Sequence, residues 1–79
     1  MTDRPVKHSL TLRGHRTSVS LEEPFWAAFK AIADRKSVAV NALAADVDER
    51  RGARLGLASA IRIYVLEDLQ SQVASAASS

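Results

Sequence analysis

The feature that most constrains the fold is residues 16–21 (Arg-Thr-Ser-Val-Ser-Leu), in which every second side chain is suited to burial. This period of two is typical of a half-buried β-strand, because neighbouring side chains leave a strand on opposite faces. The inward set is Thr17, Val19 and Leu21, and the outward set is Arg16, Ser18 and Ser20. A lone strand leaves backbone N–H and C=O groups unpaired, each costing about 1–3 kcal/mol when buried. The segment therefore requires a second strand.

Two arrangements could supply that strand. In the first, residues 16–21 pair antiparallel with the same segment of another chain across a two-fold axis, an isologous contact that needs no further sequence. In the second, residues 9–13 form an internal strand, joined by a type II′ turn at Gly14-His15. That turn gives the pairs Leu12 with Thr17 and Leu10 with Val19. The two arrangements are compatible, because a ribbon of two copies of 16–21 keeps free outer edges to which residues 9–13 could add.

Helical signals begin directly after the strand. Ser20 and Glu23 have the spacing of a capping box, and Pro24 falls in the first turn, where its missing N–H costs little. The apolar residues that follow form one helical stripe: Phe25, Trp26, Phe29, Ile32 and Ala33. A first helix is therefore predicted over residues 22–36.

Two further helices are predicted, at about 40–51 and 57–74. The second repeats apolar residues at i, i+3, i+4 and i+7, and Gly52 suits the left-handed position just past its end. These repeats are Val40, Leu43, Ala44 and Val47. The third helix is apolar over more of its circumference, with one stripe of Leu57, Ile61, Tyr64, Val65, Leu69 and Val73 and with Ile63 and Leu66 beside it. Because a small monomer has too little structure to cover both sides, one side is expected to meet a second subunit.

The composition agrees with a mainly α-helical domain. Of 79 residues, 47% are hydrophobic but only 5% are aromatic, which favours helices around a modest core. A chain of this size has a thin stability margin, which association would increase. Residues 1–8 are expected to be a flexible basic arm, 9–74 the folded domain and 75–79 a disordered tail. The polar N-terminus lacks the apolar core of a secretion signal, so a cytoplasmic location is expected.

Positive charge is concentrated near the N-terminus. Residues 1–20 hold four basic residues and one acidic residue, a net charge of +3, although the whole chain carries only +2. Such a strip can contact a polyanion, since each neutralised phosphate releases condensed counterions. The charge distribution is thus compatible with nucleic-acid binding.

The order of these elements resembles the ribbon-helix-helix repressors. The resemblance is carried by the strand at 16–21, the aromatic-rich helix, the short turn, and the helix opening Ala-Val-Asn-Ala-Leu at 39–43. Over residues 7–69, the segments Ser-Leu-Thr-Leu-Arg-Gly-His-Arg-Thr-Ser-Val-Ser-Leu-Glu (9–22) and Ser-Ala-Ile-Arg-Ile-Tyr-Val-Leu-Glu (59–67) look like a bacterial subfamily with an extra C-terminal helix. The resemblance implies a mainly α fold with one short β-strand per chain. Two such chains would form an intertwined homodimer around an intermolecular antiparallel ribbon.

The resemblance also implies sequence-specific binding of double-stranded DNA, with transcriptional repression as the outcome. In that family the ribbon enters the major groove, and its outward side chains contact base edges; the matching positions are Arg16, Ser18 and Ser20. Arginine can donate two hydrogen bonds to guanine O6 and N7, and serine hydroxyls can donate or accept at either kind of base. Phosphate contacts are expected from Lys7, Arg13 and the backbone N–H groups of Val40 and Asn41.

The chain departs from that family at the turn and at the second helix cap. Family members usually have a glycine in the turn, where this chain has Arg35-Lys36-Ser37. They also have a serine or threonine as the cap, where this chain has Ala39, and an alanine there typically costs about 1 kcal/mol of helix stability. Ser37, two residues earlier, is the alternative cap.

Other classes of function find little support in the sequence. His8 and His15 lack the partners and spacing of a zinc site, and no nucleophile, base and orienting group can be assembled, so no enzyme activity, metal or cofactor is expected. The alternative to a DNA-binding regulator is a protein–protein interaction module, such as an antitoxin or adaptor. In that alternative the third helix contacts a protein partner and the ribbon serves only for dimerisation. Assembly above the dimer is left open.

Overall fold

Two antiparallel strands are followed by three helices in the computed structural model, which describes residues 4–51 and 55–78. The elements are β1 (Val6–Leu12), β2 (His15–Leu21), α1 (Glu23–Arg35), α2 (Val40–Arg50) and α3 (Leu57–Ser78). The mainly helical class is confirmed, but the chain has two strands where one was expected. The internal partner for residues 16–21 is therefore present.

The hairpin turn differs from the expected one by a single residue. Leu12 pairs with His15, so the two loop residues are Arg13 and Gly14, with φ of 53° and 82°. Positive φ at both central positions defines a type I′ turn, whose backbone twist matches that of the flanking strands. The expected type II′ turn at Gly14-His15 is therefore wrong, as are its pairs. Leu10 lies opposite Thr17, and Val19 lies opposite His8.

The strands bury one face of the hairpin against the helices. The buried strand residues are Leu10, Leu12, Val19 and Leu21. The helices contribute Phe29, Ile32, Ala33, Leu43, Ala44, Val47, Ala60, Ile61 and Val65 to the same core. Thr17 lies on this inner face, as expected, opposite Leu10, but it is exposed because it lines an open cleft of about 360 Å³ between the hairpin tip and α2. The aromatic stripe of α1 is confirmed as core, with Phe29 fully buried and Phe25 and Trp26 partly buried.

The expected capping box at the start of α1 does not form. β2 continues through Leu21, so Ser20 is a strand residue, and the N-cap is Glu22 without a side-chain cap bond. The carboxylate of Glu22 instead accepts two hydrogen bonds from the Arg62 guanidinium, at 2.9 and 3.1 Å. Burial of Leu21 and this link to α3 outweigh the local capping preference.

Ser37 ends α1 and does not cap α2. Its φ is 58°, its N–H donates to the Asp34 carbonyl, and the Val38 N–H donates to the Ala33 carbonyl, each at 3.0 Å. These two bonds form a Schellman motif, whose left-handed position usually holds glycine. The N-cap of α2 is Ala39, with no side-chain cap bond.

The ends of the chain are more regular than expected. Residues 6–8, which were assigned to the arm, begin β1, and α3 continues through residue 78, well past 74. The position proposed for Gly52 lies outside the described residues. None of the helices in the described ranges has the length and apolar character needed to cross a bilayer.

Candidate nucleic-acid interface

The hairpin face turned away from the helices forms a polar surface, here called the outer face. Its side chains are Lys7, Ser9, Thr11, Arg16, Ser18 and Ser20, all exposed. They form three directly opposed pairs: Lys7 with Ser20, Ser9 with Ser18, and Thr11 with Arg16. The three residues expected to contact bases therefore share one face, and Lys7 joins them from the neighbouring strand.

Both cations of the outer face lack a carboxylate partner among the residues that the structure describes. Within the described ranges, neither Lys7 nor Arg16 makes an ion pair. The other four residues carry only hydroxyl groups. Charge and short hydrogen-bonding side chains are thus available together on one flat strand surface.

The two edges of the hairpin are not equivalent. The outer edge of β1 is covered by α2, because the Thr11 N–H donates to Asn41 Oδ1 at 3.1 Å. In the described part of the chain, β2 has β1 as its sole strand neighbour. The far edge of β2 is therefore open to another strand.

The Thr11 hydrogen bond also shows which backbone groups lie at that open edge. Antiparallel pairs alternate between those whose backbone groups face each other and those whose groups face away. Thr11 faces away from β2, so its partner Arg16 faces away from β1. By the same alternation, the N–H and C=O groups of Ser18 and Ser20 also point to the open edge.

The start of α2 lies beside the covered edge of the hairpin. Val40 and Asn41 are its first two residues, and the first backbone bond into the helix runs from the Leu43 N–H to the Ala39 carbonyl. The first N–H groups of a helix have no intrahelical acceptor and favour anions. The Asn41 side chain holds Thr11, whereas its backbone N–H belongs to this first turn.

Arg13 lies away from the outer face. It occupies the turn, and its guanidinium contacts the Glu49 carboxylate on α2 at 2.5 Å. This hydrogen bond raises the pKa of Arg13 and lowers the pKa of Glu49. Arg13 thus ties the hairpin tip to α2, and a phosphate there would have to displace Glu49.

Ser9 and Thr11 also lie on the outer face, and they are not among the residues that the sequence predicts for DNA contact. The alternation of Ser9 and Thr11 with Leu10 and Leu12 was the available signal. It became informative only with the register, which sets Ser9 beside Ser18 and Thr11 beside Arg16.

His8 contributes to packing on the inner side of β1. Its ring stacks on Trp26, with centroids 4.1 Å apart and planes 12° apart, and its Nε2 lies 3.2 Å from Glu23 Oε1. His8 therefore fastens β1 to the first turns of α1. Across residues 4–51 and 55–78, no three His, Asp or Glu side chains converge in a way that could hold a metal ion.

The third helix leaves part of its apolar surface uncovered. Ile61 and Val65 are buried in the core, whereas Leu66 is 53%, Leu69 49% and Val73 69% exposed. Ile63 extends this exposed surface at the other end. In the single chain, therefore, one side of α3 is packed and the other faces solvent.

Comparison with known proteins identifies the family of this chain. A family model described as a ribbon-helix-helix domain matches residues 5–69, which include both strands, α1, α2 and the first half of α3. No curated protein and no solved structure gives a significant match. Domains of this family generally dimerise, bind DNA and regulate transcription. The match covers most of the chain, and the protein belongs to the ribbon-helix-helix family.

Proposed function

We propose that this protein is a bacterial transcriptional repressor that binds specific sequences of double-stranded DNA as a homodimer, with its β-ribbon in the major groove. The observation that carries the proposal is the combination found on β2. Arg16, Ser18 and Ser20 are exposed on one face of a strand whose far backbone edge pairs with no other strand of the described residues. The family membership supports the same function.

The open edge supports a symmetric dimer. If β2 pairs antiparallel with β2 of a second chain, the open N–H and C=O groups on both strands find partners in one isologous contact. Because β1 is already paired on the other side, the product is a four-stranded sheet in the order β1-β2-β2-β1. The ribbon formed by the two β2 strands lies at its centre.

The side chains of that ribbon suit base recognition. Arg16 can donate two parallel hydrogen bonds to guanine O6 and N7, the commonest specific contact in the major groove. Ser18 and Ser20 are short enough to let the strand backbone approach the base edges, and their hydroxyls can donate or accept. Each chain would thus read one half-site.

Phosphate contacts position the ribbon in this proposal. Lys7 supplies a cation next to Ser20, and the backbone N–H groups of Val40 and Asn41 supply the start of a helix. Arg13 joins them by exchanging Glu49 for a phosphate oxygen. These contacts fix the register on DNA without reading the sequence.

Two measurements test the proposal. Light scattering at micromolar concentration should give twice the chain mass of 8.5 kDa. Selection from a random duplex library should enrich a symmetric sequence, with affinity that falls steeply as salt is raised. Particles of 8.5 kDa, or binding without sequence enrichment, would refute the proposal that a dimeric ribbon recognises bases in the major groove.

A second candidate function is favoured by the exposed side of α3. Ile63, Leu66 and Leu69 are the kind of apolar side chains that a protein partner covers, as in an antitoxin or adaptor. In that case Leu66→Asp would abolish the partner complex and leave the dimer intact. Selection from the random duplex library distinguishes the two functions. The purified protein alone should enrich a sequence if it is a DNA-binding repressor, and should enrich none if it is only a protein-interaction module.

A further inference from the structure

We propose that β1 forms a second DNA-contacting element, in which the hydroxyl groups of Ser9 and Thr11 bind the phosphates that border the groove. This inference rests on the proposed symmetric ribbon. It goes further by assigning a role in DNA binding to β1, the strand that flanks the ribbon on each side. The sheet then spans the major groove from wall to wall, with bases at its centre and phosphates at its sides.

The dimensions of the sheet place β1 at the groove wall. Neighbouring strands lie about 4.8 Å apart, so the two β2 strands together fit easily in a major groove about 12 Å wide. The two β1 strands are three spacings apart, or about 14 Å. They are therefore too far apart for both to enter the groove floor, and their side chains meet the sugar-phosphate backbones.

The register gives β1 the right side chains for that position. Ser9 and Thr11 are exposed on the outer face, directly opposite Ser18 and Arg16, so a DNA surface that contacts β2 also reaches them. Half to two-thirds of hydrogen bonds between proteins and DNA go to phosphates and sugars, and serine and threonine hydroxyls are among the usual donors. Lys7 continues the same row with a cation.

The position of β1 is held by α2. The Thr11 N–H donates to Asn41 Oδ1 at 3.1 Å, which attaches the outer edge of β1 to the first turn of α2. The first turn of α2, whose leading N–H groups have no intrahelical acceptor, therefore lies beside the edge of β1, the strand that carries the hydroxyl row. In the proposed complex the hydroxyl row and the start of α2 would both reach phosphates at one border of the groove, and the hydrogen bond from Thr11 holds β1 in place before DNA binds.

The test compares Ser9→Ala/Thr11→Val with the unmodified protein on two duplexes. One is the sequence that the unmodified protein enriches from a random library, and the other is its scrambled version. We expect the double variant to bind both duplexes at least about tenfold more weakly, because four hydroxyls per dimer lose a charged acceptor. We expect the salt slope to be unchanged, because hydroxyls release no counterions, whereas Lys7→Gln should reduce it by about 2 per dimer.

Matched variants separate the hydroxyl contacts from general damage. Thr11→Ser should retain affinity, and Ser71→Ala, at an exposed position on α3, should change nothing. All variants should melt within a few degrees of the unmodified protein, since the altered side chains are exposed. Replacing single phosphates at the groove borders by neutral methylphosphonates should lower the affinity of the unmodified protein for the duplex. The same replacement should lower the affinity of the double variant less.

The outcomes distinguish this inference from the proposed function. If the unmodified protein enriches no sequence, the proposed function itself is refuted. If it enriches one and the double variant binds as tightly, or reselects a different sequence, then β1 contacts no phosphates and the inference is overturned. Equal weakening on both duplexes, with the same sequence reselected, supports it.

Discussion

At the scale of single residues, the proposed sequence recognition depends most on Arg16. It is exposed, has no ion pair within the described ranges, and lies on the strand at the centre of the proposed ribbon. Arg16→Ala should cost about 1–3 kcal/mol on the selected duplex and relax the preference at one base pair per half-site. Repeating the library selection with the variant measures both effects.

Lys7→Ala is the matched control for Arg16. Lys7 is a cation on the same face, but it lies on the outer strand. Its removal should weaken binding to every duplex and flatten the salt dependence without changing the selected sequence. An equal loss on all duplexes from both substitutions would show that Arg16 does not read bases.

Ser37 shows a local cost that the fold accepts. Its φ of 58° is left-handed, a conformation that costs an L-residue about 1–2 kcal/mol and glycine nothing comparable. Ser37→Gly should therefore raise the free energy of unfolding by about 1 kcal/mol, as measured by urea denaturation. Ser37→Val should lower it, because a β-branched residue tolerates positive φ poorly. A loss of stability in the glycine variant would contradict this account of the Schellman turn.

At the scale of elements, α3 is attached to α1 by two ion pairs, one near each end of α1. Arg62 binds Glu22, and Arg35 binds Asp68 at 2.5 Å. A hydrogen bond from its own backbone N–H and those from Arg62 lower the pKa of Glu22, and the bond from Arg35 lowers the pKa of Asp68. These carboxylates therefore stabilise the fold when they are ionised.

The sign of the pH dependence follows from those lowered pKa values. Stability from Glu22 and Asp68 is complete above their ordinary pKa values, about 4, and is lost as the pH falls through the lower values of the folded state. The melting temperature should thus fall between pH 6 and pH 3. Arg62→Met should be less stable at pH 6, and its difference from the unmodified protein should shrink at pH 3. The Arg62 guanidinium carbon also lies 5.8 Å from the centre of the Phe25 ring, and a constant difference would show that Arg62 acts through this contact alone.

The elements differ in how far the sequence predicts them. Helices α1 and α2 follow from apolar residues repeated every three or four positions, and their buried residues lie where that period places them. The hairpin register depends on which two residues form the turn. Gly14 suits both a type I′ turn at 13–14 and a type II′ turn at 14–15, so the sequence alone did not fix the position of the turn to within one residue. The Asn41–Thr11 and Arg62–Glu22 bonds join residues 30 and 40 positions apart, and nothing local indicates such contacts.

The candidate site was also predictable only where it depends on local periodicity. Arg16, Ser18 and Ser20 share a face because strand side chains alternate, a rule that holds whichever strand pairs with β2. Ser9, Thr11 and Lys7 join that face only through the pairing of β1. The sequence therefore predicted the residues that β2 contributes to the outer face, but not those that β1 adds beside them.

At the scale of the whole molecule, two surfaces of the described residues have no partner, the edge of β2 that faces away from β1 and the exposed side of α3. The first consists of directional backbone groups, so only another strand completes it well. The second is apolar and accepts partners of many shapes. We therefore propose that specific dimerisation uses the β2 edge, and removing one backbone donor there should separate folding from assembly.

Ser18→Pro makes that separation, because Ser18 lies at the middle of β2 and its N–H points to the open edge. Proline has no N–H and is tolerated on strand edges, so the hairpin with β1 should persist while pairing between two β2 strands fails. Light scattering should then report the 8.5 kDa monomer, with helical circular dichroism retained and sequence-specific DNA binding lost. Ser18→Ala, which keeps the N–H, should remain dimeric. A semisynthetic chain with N-methyl-Ser18 removes only the donor and keeps the side chain; a dimer that survives this change would show that the subunits associate through another surface.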